Sequence, residues 1–215
     1  MGAQHILSVR SHLLPRDWWG VSRCHALSEC ELMDTLHAAG IWFGPRSMLE
    51  DDPSFRQVIP YVIMATATPL DPAARFLSYK RTPKGGESRL HDLYSIGVGG
   101  HIDLDDAVVR KDTGILLRPT LEYAALREVE EELGQRVVPI HQAWLGVICD
   151  NDNDVGRVHL GAVWFWLLRD SYQPPQATED ALTEVQLLSA QELGGVALEP
   201  WSRLALAWLM TLGLS

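Results

Sequence analysis

The chain has 215 residues, 47% hydrophobic and 21% charged, with a formal net charge of −10. That length suits one well-buried domain with elaborations. No stretch approaches the ~20 uncharged apolar residues that span a bilayer, and the acidic balance excludes stable nucleic-acid binding through a dense Lys/Arg surface. Met1-Gly2-Ala3-Gln4-His5 shows no basic stretch leading into an apolar run, so a cytoplasmic location is expected. Cys24, Cys30 and Cys149 are odd in number and lack CxxC spacing, which points to free thiols rather than a disulfide or zinc framework.

In chain order, residues 5–14 read as a short strand and Ser28–Ala39 as a helix with an N-cap serine and a stop at Gly40. Residues 40–53 read as loop, with Gly44-Pro45-Arg46 and the acidic Glu50-Asp51-Asp52. Residues 1–55 are expected to form an N-terminal extension, and 56–215 the main domain. In the extension, Trp18-Trp19 and Trp42-Phe43 suit core or homodimer packing, or stacking on a base. A β-rich apolar run predicts a buried strand over 57–65, followed by strands over 75–81, 143–149, 158–168 and 185–188. A helix over 200–212 gathers Trp201, Leu204, Ala205, Trp208, Leu209 and Leu212 on a packing face.

The chemistry concentrates between residues 97 and 135. A strand-like Tyr94-Ser95-Ile96 runs into Gly97-Val98-Gly99-Gly100-His101, where glycines let backbone approach a ligand. A helix is expected over 120–133, with Thr120 as N-cap, Leu126, Val129 and Leu133 as its core stripe, and Gly134 as a left-handed cap. Its last turns carry Glu128, Glu130, Glu131 and Glu132 behind Arg127. Like charges at i, i+3 and i+4 repel, and the carbonyl end of a helix disfavours anions. Such a pattern works against its own helix unless a hard cation, Mg²⁺ or Mn²⁺, sits among the carboxylates.

Gly100, five residues, Asp106, then Arg127-Glu128-Val129-Glu130-Glu131-Glu132-Leu133-Gly134 resembles the Nudix hydrolase motif, Gly, five residues, Glu, seven residues, Arg-Glu-aliphatic-x-Glu-Glu-x-Gly-aliphatic. Asp106 stands where the family has Glu, twenty residues instead of seven precede Arg127, and Gln135 fills the last aliphatic slot. The Gly-Val-Gly-Gly-His variant with its lengthened loop also looks like the MutT-like predicted phosphoesterases. The resemblance implies a Nudix-like α/β/α sandwich, of α+β or α/β class, with a mixed β-sheet. It further implies metal-dependent hydrolysis of a nucleoside diphosphate linked to another moiety, by water attack on phosphorus. The alternative is a non-catalytic nucleotide-binding or regulatory module of the same fold.

By the same resemblance Glu128, Glu131 and Glu132, with the Gly99 carbonyl, would hold Mg²⁺ or Mn²⁺. Arg127 would orient Glu128 or Glu131, and either Asp106 or Glu122 would hold Arg127. Glu179 is the expected general base, with Asp180 and Glu184 next, unless a helix glutamate serves. His101, Arg81 and Arg89 are the expected substrate contacts, Arg81 and Arg89 with an ion pair to Glu87 as the alternative. The run Asp150-Asn151-Asp152-Asn153-Asp154 has the alternating oxygens of a calcium loop. Val155 and Gly161 replace its required Gly and Glu, so a connecting turn is expected. His159, alone in an apolar strand, reads as a satisfied sheet histidine, and Cys149 is the one thiol near the motif in sequence.

Overall fold

The computed structural model describes residues 4–81, 93–175 and 182–212. Its strands are β1 (His5–Arg10), β2 (Arg23–Ala26), β3 (Trp42–Pro45), β4 (Phe55–Ala65), β5 (Phe76–Arg81), β6 (Tyr94–Ser95), β7 (Gly97–Val98), β8 (Val109–Arg110), β9 (Gly114–Ile115), β10 (His141–Cys149), β11 (His159–Leu167) and β12 (Leu182–Leu188). The α-helices are α1 (Glu29–Ala38), α2 (Arg46–Leu49), α3 (Leu117–Leu133), α4 (Asp154–Val158), α5 (Ala190–Leu193) and α6 (Pro200–Leu209). The main sheet has the order β12-β5-β4-β11-β10-β2, with β1 joined to β4, β3 to β1, β6 to β5 and β7 to β4. Two compact units share the chain: one holds 1–61, 99–127 and 144–163, the other 62–98, 128–143 and 164–215.

In the first unit, β1 pairs antiparallel with both β3 and β4, which ties residues 5–45 to the start of β4. Alternation along these strands sends Leu7, Val9 and Val58 into a core with Leu32, Leu36, Leu117, Leu121, Ala124, Val147 and Leu160. The strand expected over 5–14 stops at Arg10, where the chain turns into a 3₁₀ segment at Ser11–Leu13. The helix after Ser28 is as expected, closed by a reciprocal capping box in which Glu31 N–H donates to Ser28 Oγ and Ser28 N–H to Glu31 Oε2. The expected loop over 40–53 instead contains β3 and α2, because Trp42 and Phe43 reach pairing partners on β1. β2, with no apolar alternation to announce it, pairs antiparallel with β10.

In the second unit, β5 is flanked by β6 and β12, both antiparallel to it. Phe76, Leu77, Tyr79, Ile96, Val129, Leu133, Trp166 and Leu193 are buried there. α6 buries Ser202, Ala205, Leu206 and Leu209, so the packed stripe is rotated from the expected one, leaving Trp201, Leu204 and Trp208 half-buried. β12 carries a register shift between Thr183 and Gln186. Glu184 lies in it with φ 52°, a left-handed conformation costly for a residue with a Cβ.

Candidate functional site

The acidic helix starts earlier than its sequence suggests. α3 begins at Leu117, so Thr120 lies within its first turn instead of capping it: the hydroxyl donates to Leu116 O at 2.8 Å and accepts Val108 N–H at 3.0 Å. Leu126 is 43% exposed, whereas Val129 and Leu133 are buried with Leu117, Leu121, Ala124 and Ala125. The buried stripe therefore runs through the alanines. Gly134 takes φ 61°, the left-handed cap the sequence implies.

Asp106 holds Arg127. The guanidinium grips the carboxylate side-on, Nε to Oδ1 at 2.8 Å and Nη2 to Oδ2 at 2.7 Å, and Nη2 also donates to the His101 carbonyl at 2.9 Å. Asp106 has only 2% of its side chain exposed and also accepts the Asp103 N–H at 2.8 Å. The shorter acid reaches because Leu104–Asp106 form a 3₁₀ turn that carries its carboxylate onto the arginine. Glu122 is engaged elsewhere, accepting from Arg118 at 3.0 Å. The inserted residues fold into the β8–β9 hairpin, closed by a bond from Leu116 N to Val108 O at 2.8 Å. Gly99 has no room for a side chain, since a Cβ there would stand 1.8 Å from the Pro60 carbonyl oxygen.

In the second unit, the buried Tyr79 hydroxyl lies 2.6 Å from the Gly97 carbonyl and 3.2 Å from Glu132 Oε2. Glu128 and Glu132 are half-buried, and Glu130 and Glu131 are exposed. Among the described residues, no three His, Cys, Asp or Glu side chains converge closely enough to form a ready metal cage. The donors at Glu128, Glu131 and Glu132 are all carboxylate oxygen, the chemistry a hard divalent ion takes. Their i, i+3, i+4 spacing sets Cβ atoms about 5–6 Å apart, close enough for rotamer changes to bring them onto one ion.

His101 is drawn into an unexpected polar chain. Its Nε2 lies 2.7 Å from Gln57 Oε1 and 3.3 Å from His159 Nε2, while Gln57 Nε2 donates to Leu49 O at 3.0 Å. His159 Nδ1 donates to the Val155 carbonyl at 2.7 Å, so its Nε2 is the acceptor and the proton between the rings belongs to His101. Burial, with Arg46 and His159 adding to it, pushes the His101 imidazole down to about 3; burial also lowers His159. Both rings are neutral, so His101 offers a phosphate no positive charge. His159 is the satisfied sheet histidine its strand suggested.

The other expected residues separate clearly. Arg89, Glu87, Glu179 and Asp180, and the side chain of Arg81, lie outside the described residues; Arg81 itself ends β5 opposite Leu182. Glu184 accepts hydrogen bonds from Tyr94 and from Lys80, the latter at 2.9 Å, and both lower its pKa. The Asp150–Asp154 run is a turn: Asp150 accepts Ser22 Oγ–H, Asp152 N–H and Asn153 Nδ2–H, and Asn153 caps α4. Arg56, buried in β4 and unannounced in the sequence, fastens that turn by bonds to Asn151, Gly156 and His159. Burial drives the Cys149 thiol up to about 12, which removes it as a nucleophile at neutral pH.

A strand–glycine loop–acidic helix carried on this sheet defines the Nudix fold, and the chain has that fold. It superposes on the crystal structure of Tm1382, a candidate Nudix hydrolase, with a TM-score of 0.73 at 24% identity, covering 96% of this chain and 98% of that one. A NUDIX hydrolase from Alicyclobacillus acidocaldarius gives a TM-score of 0.53 at 12% identity over 73% of this chain and 92% of its own. The NUDIX domain of Shewanella oneidensis NrtR, solved with ADP-ribose, gives 0.50 at 18% identity over 71% and 86%. In sequence, the chain is 36% identical over 116 residues to protein YmaB of Bacillus subtilis (strain 168), a match covering 54% of this chain. The chain spans about half the length, 51%, of that curated relative. No family model matches.

Proposed function

We propose that the chain is a divalent-metal-dependent hydrolase that cleaves the phosphoanhydride of a nucleoside diphosphate linked to another group. The observation that carries this reading is the two-pronged Arg127–Asp106 clamp with its third bond to the His101 carbonyl. A motif lengthened by thirteen residues still closes its own loop-to-helix bracket, and a solvated acidic helix has no need of one. Glu128, Glu131 and Glu132 are the proposed ligands of Mg²⁺ or Mn²⁺, with the Gly99 carbonyl as a fourth to be tested. Such an ion, when bound, neutralises pyrophosphate charge and acidifies a water. Tyr79 orients Glu132 through its hydroxyl, and Arg127 positions the helix end from which the carboxylates project.

Glu179 is the proposed base. Glu184 is the weaker alternative, since two hydrogen bonds hold its carboxylate ionised and a depressed pKa makes a poorer proton acceptor. Arg81 and Arg89 are the proposed substrate cations. The ADP-ribose bound by the NrtR domain supports a ligand of nucleoside-diphosphate type, and also supports the second reading, a module that binds without cleaving.

Hydrolysis of a panel of nucleoside triphosphates, dinucleotides and nucleotide sugars, with Mg²⁺ and with Mn²⁺, tests the reading. Glu131→Gln and Glu132→Gln should each lower turnover by about a hundredfold or more while the protein stays folded. Unchanged turnover in both defeats it, and ligand binding with no turnover in the parent selects the binding-only reading. A cytoplasmic location and a homodimer belong to the same proposal. No helix among the described residues is long and apolar enough to cross a membrane.

A further inference from the structure

The first unit carries a concavity whose construction the pyrophosphate chemistry does not use. Phe43 packs against the core, so strand alternation turns Trp42 to the opposite face of β3, where it is 40% exposed. The pairing registers set Trp42 opposite Ser8 on β1 and Phe55 opposite Arg10. Directly opposed residues share a face, as do residues two apart on one strand, so Trp42, Ser8, Arg10 and Phe55 lie on one surface of β3-β1-β4. Between the two aromatics stands only the small Ser8, and the ring centroids meet across it at 5.1 Å, tilted by 47°. Gly44 lies on the same face of β3, two residues from Trp42. A Cβ there would come within 2.6 Å of the Trp42 ring, so the indole lies directly over this glycine.

Arg10, Trp42 and Phe55, with Gly40 and Ile41, line a cavity of about 350 Å³. Among the described residues the exposed Arg10 guanidinium has no hydrogen-bond or ion-pair partner, which leaves its donors free for a ligand. An exposed indole beside a half-buried phenyl ring offers a stacking surface for a planar ring, and an arginine is a fork for an anionic oxygen. The volume is at the lower end of small-molecule pockets, of the order that takes one nucleotide.

We infer that this cleft binds a nucleoside monophosphate, the base against Trp42 and Phe55 and the phosphate on Arg10. None of its residues is among those assigned to hydrolysis, and it does not rest on that assignment.

Calorimetric titration of the full chain in EDTA, with AMP as probe, tests it, with adenosine and ribose 5-phosphate as partial ligands. AMP should bind at one site and more tightly than either fragment. Trp42→Ala should weaken AMP by about tenfold or more, the loss expected of one base–aromatic stack. Arg10→Gln, at an exposed position, should bring AMP down to the affinity of adenosine, and Glu131→Gln should leave AMP binding unchanged. The inference is overturned if millimolar AMP gives no binding, if Arg10→Gln binds AMP as the parent does, or if Glu131→Gln abolishes binding. Arg10→Gln decides the matter even if Trp42→Ala does not fold.

Discussion

Replacing Asp106 by Ala removes both arms of the Arg127 pair and the acceptor for the Asp103 N–H. Breaking a fully buried pair costs about 3–5 kcal/mol, because the remaining charge is left uncompensated. Asp106 meets that condition with 2% exposure, but Arg127 keeps 23% of its side chain in solvent and retains the His101 carbonyl. The lower end applies, about 3 kcal/mol. For a chain of this size, about 2–4 °C accompany each kcal/mol, so the melting temperature should fall by about 6–12 °C. Asp106→Glu restores the family's acid and should recover part of the loss, while Asp106→Asn keeps one acceptor and should fall between. Thermal melts followed by circular dichroism in EDTA read the effect without any contribution from activity. A Asp106→Ala protein melting within about 2 °C of the parent would refute the claim that this clamp joins the glycine loop to α3.

Three other outcomes follow from named contacts. Tyr79→Phe removes the hydroxyl from Gly97 O and Glu132 and should cost about 1–2 kcal/mol in urea denaturation, together with weaker Mn²⁺ binding measured by titration. Gly99→Ala drives a methyl into the Pro60 carbonyl and should cost more than about 3 kcal/mol or prevent soluble expression; a normal melt would show that the strand moves easily. His101 and His159 both have folded pKa values below the free imidazole, so on acidification the unfolded chain takes up protons first. The stability they contribute is complete above about pH 6.5 and is lost as pH falls below it, toward about 3 for His101. His101→Gln should therefore flatten urea stability measured between pH 7 and 4 by up to about 1.4 kcal/mol per pH unit, and an unchanged slope would contradict the neutral assignment.

Long uninterrupted signals were readable before folding. The run around Val58–Met64 is buried without alternation, as a strand covered on both sides requires, and Gly134 announces its left-handed cap. The Arg127–Glu132 block drew attention through charge repulsion, and its role as a metal site is a proposal. Elements that depend on a distant partner were hidden. β2 and β3 are four residues each and exist because β10 and β1 accept their backbone bonds. The Gln57–His101–His159 chain joins residues 44 and 58 apart, and nothing local in any of the three predicts it. Arg56, one charge in an apolar strand, becomes intelligible only when Asn151 and two carbonyls close on it. At α3 the polar Thr120 imitated a cap, although Leu117 and Leu121 already belonged to the buried stripe. Choosing between Asp106 and Glu122 as partner of Arg127 likewise required the 3₁₀ turn that shortens the reach.

The β8–β9 hairpin is pinned at its base by Leu116 to Val108 and by Val108 to Thr120, and its two strands bond to each other. Chain added beyond that staple feeds outward into the hairpin tip instead of prying apart Asp106 and Arg127. The spacing written along the polypeptide is thereby uncoupled from the spacing in space, and this part of the molecule can lengthen, shorten or change its tip while the acidic helix stays in register.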